Sequence, residues 1–418
     1  MTDAAVNTPP PLVDPSAGQA YRSARRRESR RALLLATPLL AFLLITFVLP
    51  IGVLLARSVH NDELPQAMPQ LAHMLQQWDG QSEPPADAYA LLAGEIRQAA
   101  TNNELGSVAR RLNFYQAELR SLMFKTARRL SDPAGQTDDW RQSLLDIDPR
   151  WGQIESWQVL KRAASSPTPD YLLNAVDARA NADGQWQSLP ADQSIYLASF
   201  GRTIWISALV TLICLMLGYP VAWLLANLPA RQSNRLMLLV IVPFWTSLLV
   251  RTTAWYVLLQ PSGVINTLLA GLGLVNQPLA LVFNRTGVLI GMTHILLPFM
   301  ILAIYSVMKG IPPVYLRAAR SLGAHPLTAF LRVYLPQSLP GVGAGCFLVF
   351  ILALGYYITP ALLGGAGDEM ISQLIAMATN QQLNWGLAGA LSLYLVLFTA
   401  LFYFIFNRLV GIDRLRFG

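Results

Sequence analysis

Charged side chains are scarce in this chain of 418 residues. Asp, Glu, Lys and Arg together make up 13% of it, and 53% of the residues are hydrophobic. A soluble domain carries roughly a quarter charged residues, so the charge density here is about half the usual value. This composition excludes a water-soluble globular enzyme and predicts an integral membrane protein.

Cysteine and histidine are also rare. The two cysteines, Cys214 and Cys346, both lie in apolar runs, so no disulfide framework is predicted. The four histidines are scattered without the spacing of a metal site, at His60, His73, His294 and His325. The sequence therefore predicts no metal site and no bound cofactor.

Acidic residues are absent from Gln193 to Gly367. Carriers driven by protons or sodium bury carboxylates in their spans, because the coupling ion must bind on the transport path. No phosphate-binding P-loop and no nucleophile–base pair occurs either. These absences argue against a self-coupled carrier, and they predict no catalytic site and no ATP site of the P-loop type.

The charges that are present are unevenly distributed. The segment from Arg57 to Ile195 holds 13 basic and 18 acidic residues, a net charge of −5, and the remainder has a net charge of +12. No run of Lys and Arg is interleaved with aromatic residues, so a nucleic-acid partner is not predicted. The pattern indicates a membrane protein with one soluble insertion.

Six apolar runs are long enough to cross a bilayer as helices. They are Ala32–Leu55, Tyr196–Asn227, Arg235–Leu259, Gly287–Met308, Gly341–Leu363 and Gly386–Val410. The second is longer than a bilayer requires, so its start is expected to lie along the membrane surface. The predicted fold is all-α and polytopic, with six transmembrane helices and a helical insertion.

The predicted organisation has five parts. They are a disordered basic arm (1–31), a first transmembrane helix (32–56), an insertion (57–195), a five-helix core (196–410) with a loop at 309–340, and a tail (411–418). The arm contains six arginines, and the loop at 309–340 and the tail also carry basic residues. An excess of basic residues marks the cytoplasmic side of a membrane protein. Both termini are therefore predicted to be cytoplasmic and the insertion to be extracytoplasmic.

The insertion has the pattern of a small helical bundle. Apolar residues recur every three or four positions from Leu105 to Leu130, which predicts one amphipathic helix. Asp87–Ala100 and Trp151–Ala163 are predicted helices as well, and alternating β-branched runs are absent. A docking surface and an inert embellishment both remain open as its role.

The loop at 309–340 has the most informative pattern. Val314–Leu322 suits a short helix ended by Gly323, because glycine accepts the left-handed conformation of a helix C-terminus. Pro326 can open a second short helix, which Leu335-Pro336 is expected to close. Two short helices on the cytoplasmic face would form a rigid contact for a soluble partner.

This loop resembles the EAA signature of ABC importer permeases, in which E-A-A is followed by glycine and then by I-x-L-P. The matching positions are Arg317, Ala318, Ala319, Gly323, Val333, Leu335 and Pro336. Arg317 replaces the usual glutamate and reverses its charge, and Val333 replaces isoleucine. The resemblance implies that these residues couple the spans to a separate ATPase.

A larger part of the chain resembles the spermidine/putrescine-type permeases. The matching stretches include Gly218-Tyr-Pro-Val-Ala222, Pro243-Phe-Trp-Thr-Ser247, Leu249-Val-Arg-Thr252, Pro261-Ser-Gly263, Ala353-Leu-Gly355 and Leu362-Leu-Gly-Gly365. The resemblance covers about 200–410 and the first span, but not the insertion. It implies a bacterial inner-membrane permease that works with an ABC ATPase dimer, a second permease subunit and a periplasmic substrate-binding protein.

Four residues of the third span are candidates for the substrate path: Trp245, Arg251, Trp255 and Tyr256. An arginine inside a membrane is costly and is a functional candidate by default, and aromatic rings can stack on a cation. A structural role remains open for each, through snorkelling of Arg251 or packing of the aromatic rings.

The predicted function is the permease subunit of an ATP-driven importer of polyamines. The acid-free spans, together with Arg202, Arg251 and Arg285, offer a polycation no counter-charge. An importer of another small solute, such as an opine, an amino acid or an organic anion, is therefore the first alternative. A sensory receptor with a helical external domain is the second, although four further spans and the lack of a signalling domain count against it.

Overall fold

The structure is a computed structural model that describes residues 34–116, 118–131, 139–180, 186–190 and 194–410. The predicted arm at 1–31 and tail at 411–418 lie outside the described residues. The chain divides into two units, Met1–Ala56 and Arg57–Gly418. In the first unit a single helix, α1, covers Leu34–Ala56 and includes a π-helical stretch at Leu44–Val48.

The described part of the insertion is mainly helical. Its helices are α2 (Glu63–Ala67), α3 (Pro69–Gln77), α4 (Ala86–Thr101), α5 (Leu105–Tyr115), α6 (Leu119–Leu130), α7 (Trp140–Ile147), α8 (Ile154–Ala164) and α9 (Asp170–Asn174), with a 3₁₀ turn at Pro149–Gly152. The predicted helix at Asp87–Ala100 is confirmed as α4. The predicted helix at Trp151–Ala163 is confirmed in its main part, as the 3₁₀ turn followed by α8.

The insertion also contains a short hairpin that the sequence did not predict. Strands β1 (Ala178–Ala180) and β2 (Trp186–Ser188) pair antiparallel, with Arg179 opposite Gln187. Each strand has three residues, which is too short to leave the alternation on which a sequence prediction of strands depends. The expectation of an all-helical insertion was therefore wrong in this detail.

The predicted single helix from Leu105 to Leu130 is two helices. The chain becomes extended at Gln116, with φ −146° and ψ 114°, and α6 then starts at Leu119. The two helices pack against each other, and leucines of both are buried, among them Leu112 in α5 and Leu122 in α6. One straight helix from Leu105 to Leu130 would be roughly 39 Å long. The break lets the apolar residues of both helices pack into one small core.

That core is centred on aromatic side chains. Trp151 and Trp157 are fully buried, and the Tyr89 ring lies edge-on to Trp157 with 4.8 Å between ring centroids. The Trp157 Nε1–H donates to the Trp151 carbonyl at 2.8 Å, and the Trp151 Nε1–H donates to Thr126 Oγ1 at 2.9 Å. Both polar ring atoms are thus satisfied, as buried indoles require.

The second part of this unit consists of longer helices and their connections. They are α10 (Tyr196–Asn227), α11 (Ala230–Ile241), α12 (Leu248–Leu259), α13 (Val264–Gly271), α14 (Arg285–Met308), α15 (Val314–Ser321), α16 (Pro326–Gly355), α17 (Ile358–Leu363), α18 (Ile371–Asn380) and α19 (Trp385–Val410). Helix α10 is unbroken over 32 residues, so no separate surface helix precedes it.

Five helices in the described residues are long and apolar enough to cross a membrane, namely α1, α10, α14, α16 and α19. A bent pair, Ala230–Trp245 and Leu248–Gly271, whose axes differ by 97°, passes the same test together and makes a sixth span if the two helices cross the membrane as one broken segment. The prediction of six spans is confirmed with the bent pair counted as one. The prediction of a continuous third span was wrong, because a 3₁₀ turn at Val242–Trp245 and an extended Ser247 interrupt it.

The fifth span is displaced toward the N-terminus of its predicted range. The prediction was Gly341–Leu363, but α16 begins at Pro326 and ends at Gly355, and α17 is a separate short helix. The expectation that Leu335-Pro336 closes a second short helix was also wrong. A π-helical stretch precedes Pro336, with the Leu335 N–H bonded to the Phe330 carbonyl, and such a stretch lets the helix continue past the missing proline N–H.

Helices α10, α14 and α16 form the centre of the described spans. Small residues let them approach closely: a Cβ on Gly345 would lie 2.7 Å from Met300 Sδ, and one on Gly341 would lie 2.9 Å from Val307 Cβ. Small residues at such crossings are typical of packed membrane helices.

The end of the insertion is bonded to the first residues of α10. The buried Asp177 carboxylate accepts hydrogen bonds from the backbone N–H groups of Ile195, Tyr196 and Leu197, at 3.0, 3.0 and 2.7 Å. These are N–H groups at a helix start, which have no partner within the helix. Asp177 therefore caps α10 from a position 18 residues upstream.

Helix α9 of the insertion also packs directly on α18 and α19. The Tyr171 ring lies so close to Gly386 that a Cβ there would be 2.4 Å from it. The Tyr394 hydroxyl donates to the Leu172 carbonyl at 3.3 Å. The insertion is thus joined to the spans through its core as well as through the chain.

Candidate coupling segment and membrane path

The coupling segment, residues 309–340, contains the predicted glycine-terminated helix. Helix α15 ends at Ser321, and Gly323 has φ +85°. The Gly323 N–H bonds to the Arg320 carbonyl at 3.0 Å, and the Ala324 N–H bonds to the Ala319 carbonyl at 3.1 Å. This pair of bonds is a Schellman motif, which confirms the predicted role of Gly323 as the end of the helix.

The surface of α15 and the turn after it is unusually apolar for an exposed helix. Leu322 is 88% exposed, and Val314, Tyr315 and Leu327 are about half exposed or more. Arg317 and Ala318 are exposed, and Ala319 is half-buried. Within the part of the chain that the structure describes, Arg317 forms no ion pair, so its guanidinium is available to a partner.

The second half of the signature lies in α16. Val333 and Leu335 are half-buried, and Pro336 is exposed at the start of the α-helical part. His325 caps the start of α16: its Nδ1 accepts a hydrogen bond from the Leu327 N–H at 3.4 Å. The sequence analysis did not identify this cap, although a residue preceding a helix-opening proline is a common capping position.

An aromatic cluster connects the coupling segment to α10. It consists of Tyr219, Trp223, Phe330 and Tyr334. Phe330 stacks on Tyr334 at 5.7 Å, and its ring lies edge-on to Tyr219 at 6.3 Å and to Trp223 at 6.4 Å. The sequence analysis missed this cluster, because helix periodicity does not show which turn of one helix meets which turn of another.

The four path candidates do not lie together. Trp245 is at the bend of the third span and is 75% exposed, whereas Arg251, Trp255 and Tyr256 lie on α12. Trp255 contacts His294 of α14, with 5.3 Å between ring centroids. The Tyr256 ring lies edge-on to Phe283 at 5.7 Å, so Tyr256 belongs to a packed aromatic pair.

The three arginines noted in the sequence have different surroundings. Arg202 donates to the Glu369 carbonyl at 2.8 Å, and Arg285 pairs with the Asp368 carboxylate at 3.1 Å. The Nε and Nη1 atoms of Arg251 are buried, with no hydrogen-bond partner among the described residues. Arg251 is thus the arginine of the three whose charge is left without an acceptor there.

Across the described residues, no group of three or more His, Cys, Asp or Glu side chains is arranged to hold a metal ion. Cys214 and Cys346 are both free thiols.

Comparison with known proteins gives the family. The family model described as "Binding-protein-dependent transport system inner membrane component" matches residues 195–413. The chain is 36% identical over 214 residues to the spermidine/putrescine transport system permease protein PotB of Escherichia coli, covering 51% of this chain and 78% of that protein. It is 33% identical over 248 residues to PotB of Haemophilus influenzae, covering 57% and 87%.

A third relative carries no substrate in its name. The inner membrane ABC transporter permease protein YdcU of Escherichia coli is 31% identical over 264 residues, which cover 60% of this chain and 80% of YdcU. The matched region begins where the insertion ends and includes the coupling segment and five of the six spans. The chain therefore belongs to the family of binding-protein-dependent inner-membrane permeases, as a multi-pass transport component of ABC importers.

Proposed function

We propose that this chain is the permease subunit of an ATP-driven importer of polyamines such as putrescine or spermidine. Support comes from the identity of 33–36% to the two PotB proteins, which extends over most of their length. A second permease subunit would complete the membrane path, an ABC ATPase dimer would supply the energy, and a periplasmic binding protein would deliver the solute.

The observation that carries the proposal is the geometry of the coupling segment. A short helix held by a Schellman motif presents Val314, Tyr315 and Leu322 to the outside. Exposed apolar patches of this kind mark protein–protein contacts. We assign this surface, with Arg317 on its side, to contact with the ATPase dimer at the cytoplasmic face.

The proposed mechanism is alternating access. Closure of the ATPase dimer on ATP would push α15, and the displacement would reach α10 through the contacts that Phe330 makes with Tyr219 and Trp223. Because α10 packs along α14 and α16, a movement of one of these helices requires the others to adjust. Packed cores respond to such a push by changing between discrete arrangements.

Import of a different solute is the second candidate function. It is favoured by the unpaired guanidinium of Arg251 and by the absence of Asp and Glu from Gln193 to Gly367. A polyamine would find no carboxylate in these spans. A solute that itself carries a carboxylate would suit them better.

The test is uptake in proteoliposomes that contain the chain with its ATPase, second permease and binding protein. We expect putrescine to stimulate ATP hydrolysis and to accumulate inside the vesicles only when all components are present. A matched reaction without the binding protein controls for leakage and for basal hydrolysis.

Two results would contradict the proposal. Uptake driven by a proton or sodium gradient without ATP would show a self-coupled carrier. Stimulation by other solutes, with none by putrescine or spermidine, would exclude polyamines while leaving the importer assignment intact.

A further inference from the structure

Arg251 lies half-buried on the first turn of α12. Its Nε and Nη1 atoms are buried and have no hydrogen-bond partner among the described residues. Trp255, one helical turn further on, contacts the His294 ring of α14 at 5.3 Å. Because α12 packs on α14, Arg251 lies one turn from a direct contact between two helices of the transport core.

His294 supplies a second polar atom without a partner at this place. Its Nδ1 is buried and forms no hydrogen bond within the described residues. Buried polar atoms in native proteins are almost always hydrogen-bonded, so an unsatisfied one requires an explanation. Two such groups, on helices α12 and α14 that pack against each other, indicate a site that is completed by something outside the described residues.

The chemistry of the missing group follows from the guanidinium. An arginine is always charged and presents donors in a fixed fork that matches the two oxygens of a carboxylate. Withdrawing part of a guanidinium from water without a counter-ion is unfavourable. The surrounding spans cannot supply a carboxylate, since the chain has no Asp or Glu from Gln193 to Gly367.

The other two arginines show that nearby acceptors are already used. Asp368 pairs with Arg285, and the Glu369 carbonyl accepts from Arg202. The Asp368 carboxylate is thus already paired, and Glu369 contacts Arg202 through its backbone carbonyl and not through its carboxylate. No described residue offers Arg251 a carboxylate.

We infer that Arg251 and His294 form a binding site for a carboxylate that comes from outside the described residues. This inference rests on the proposed function, because the site lies in the transport core of an importer. The carboxylate has two possible sources: the transported solute, or an acidic side chain of the second permease subunit. If the solute supplies the carboxylate, the transported solute is an amino-carboxylate. If the second permease subunit supplies it, the charge of Arg251 is neutralised and a polyamine can pass.

The experiment uses the complete complex with its second permease, ATPase and binding protein. Arg251→Gln removes the charge, and Arg251→Lys keeps it without the fork. Arg285→Gln is the matched control, because its partner Asp368 is in the same chain. Putrescine and 4-aminobutyrate are the two solutes. They share one ammonium end, and at the other end putrescine carries an aminomethyl cation where 4-aminobutyrate carries a carboxylate.

Each source of the carboxylate gives its own result. If the solute supplies it, Arg251→Gln raises the KM for 4-aminobutyrate by about tenfold or more, and the second permease still co-purifies. If the second permease supplies it, Arg251→Gln lowers co-purification of that subunit by a similar factor, and Arg251→Lys retains part of it. Arg285→Gln should leave both readouts within about twofold of the wild type.

Two results overturn the inference. One is that Arg251→Gln leaves co-purification and both KM values within about twofold of the wild type. The other is an equal loss of transport of both solutes with KM and assembly unchanged, which would give Arg251 a role in helix packing alone. A wild-type complex that transports neither solute contradicts the proposed function instead, and the co-purification readout still tests the site.

Discussion

At the scale of single residues, one carboxylate in the insertion holds two arginines. Asp170 is buried and pairs with Arg162 at 2.6 Å and with Arg111 at 3.2 Å. It also accepts hydrogen bonds from the hydroxyls of Thr168, at 2.6 Å, and Tyr115. The Arg111 guanidinium lies 4.7 Å from the centre of the Tyr115 ring. Removal of this negative charge would take one carboxylate away from the buried Arg111 and from the partly buried Arg162.

The first prediction is that Asp170→Asn strongly destabilises the protein. Breaking a buried ion pair by removing one partner costs about 3–5 kcal/mol in free energy of unfolding. The measurement is denaturant unfolding of the purified chain in detergent, followed by fluorescence of the buried Trp151 and Trp157. Glu83→Gln is the control, because the Glu83–Arg141 pair is exposed and surface ion pairs contribute little to stability. Equal destabilisation by the two substitutions would contradict this account.

The same carboxylate gives the prediction a pH dependence. Burial raises the pKa of Asp170, but hydrogen bonds from Arg162, Thr168 and Tyr115 outweigh it, and the folded pKa lies below the ordinary value. A lowered folded pKa means that the ionised form stabilises the fold above pH ~4, the ordinary value for aspartate. The stabilisation is lost as the pH falls further, so the wild type and Asp170→Asn should converge below pH ~4.

At the scale of elements, a helix end could be predicted where a residue such as glycine fixes it locally. A helix break that depends on packing between helices could not be predicted. Gly323 ends α15 because its own φ of +85° requires glycine. The break at Gln116 has no glycine or proline and depends on how α5 and α6 pack. The presence of a proline did not predict whether a helix bends. Pro220 and Pro298 lie inside unbroken helices, whereas the third span bends near Pro243.

The candidate site was predictable to the same extent. The residues of the EAA-like signature follow one another along the chain, so spacing alone located them. The aromatic cluster joins Tyr219 and Trp223 to residues more than 100 positions later. Such a contact is fixed by the register of α10 against α16, which a single sequence does not encode in any local pattern.

The second prediction concerns the end of the coupling helix. Gly323→Val should lower solute-stimulated ATP hydrolysis by about tenfold, because a β-branched residue resists positive φ at a cost of roughly 1–2 kcal/mol. A Cβ at Gly323 would meet no atom within 4 Å, so the effect is conformational and not a clash.

Gly323→Asn separates the two explanations. Asparagine tolerates the left-handed conformation, and we expect this variant to keep most of the stimulation. The measurement is ATP hydrolysis by the assembled complex, with co-purification of the ATPase as a check on assembly. Full activity of Gly323→Val would remove the helix end from the proposed coupling.

At the scale of the whole molecule, the distribution of charge gives the proposed orientation. The first turns of α11 carry Arg231 and Arg235, and the coupling segment carries Lys309, Arg317, Arg320 and Arg332. The insertion has a net charge of −5. The positive-inside rule therefore predicts a cytoplasmic coupling segment and an extracytoplasmic insertion.

The third prediction tests this orientation by labelling. Ser82 in the insertion and Ser321 in α15 are both exposed. In a chain with Cys214 and Cys346 replaced by alanine, Ser82→Cys should react with an impermeant maleimide in intact cells that have a permeable outer membrane. Ser321→Cys should react only after the inner membrane is opened. The reverse pattern would invert the topology and move the proposed ATPase contact to the wrong side.

The hydrogen bonds from α10 to Asp177 bear on how this chain can change in evolution. Three backbone amides at the start of α10 donate to one carboxylate of the insertion. The absence of a side chain at Gly386 leaves room for the Tyr171 ring. Shortening the insertion would remove the acceptor of those amides and open the space above Gly386 at the same time. We therefore expect the insertion and the helices that it touches to change together in evolution.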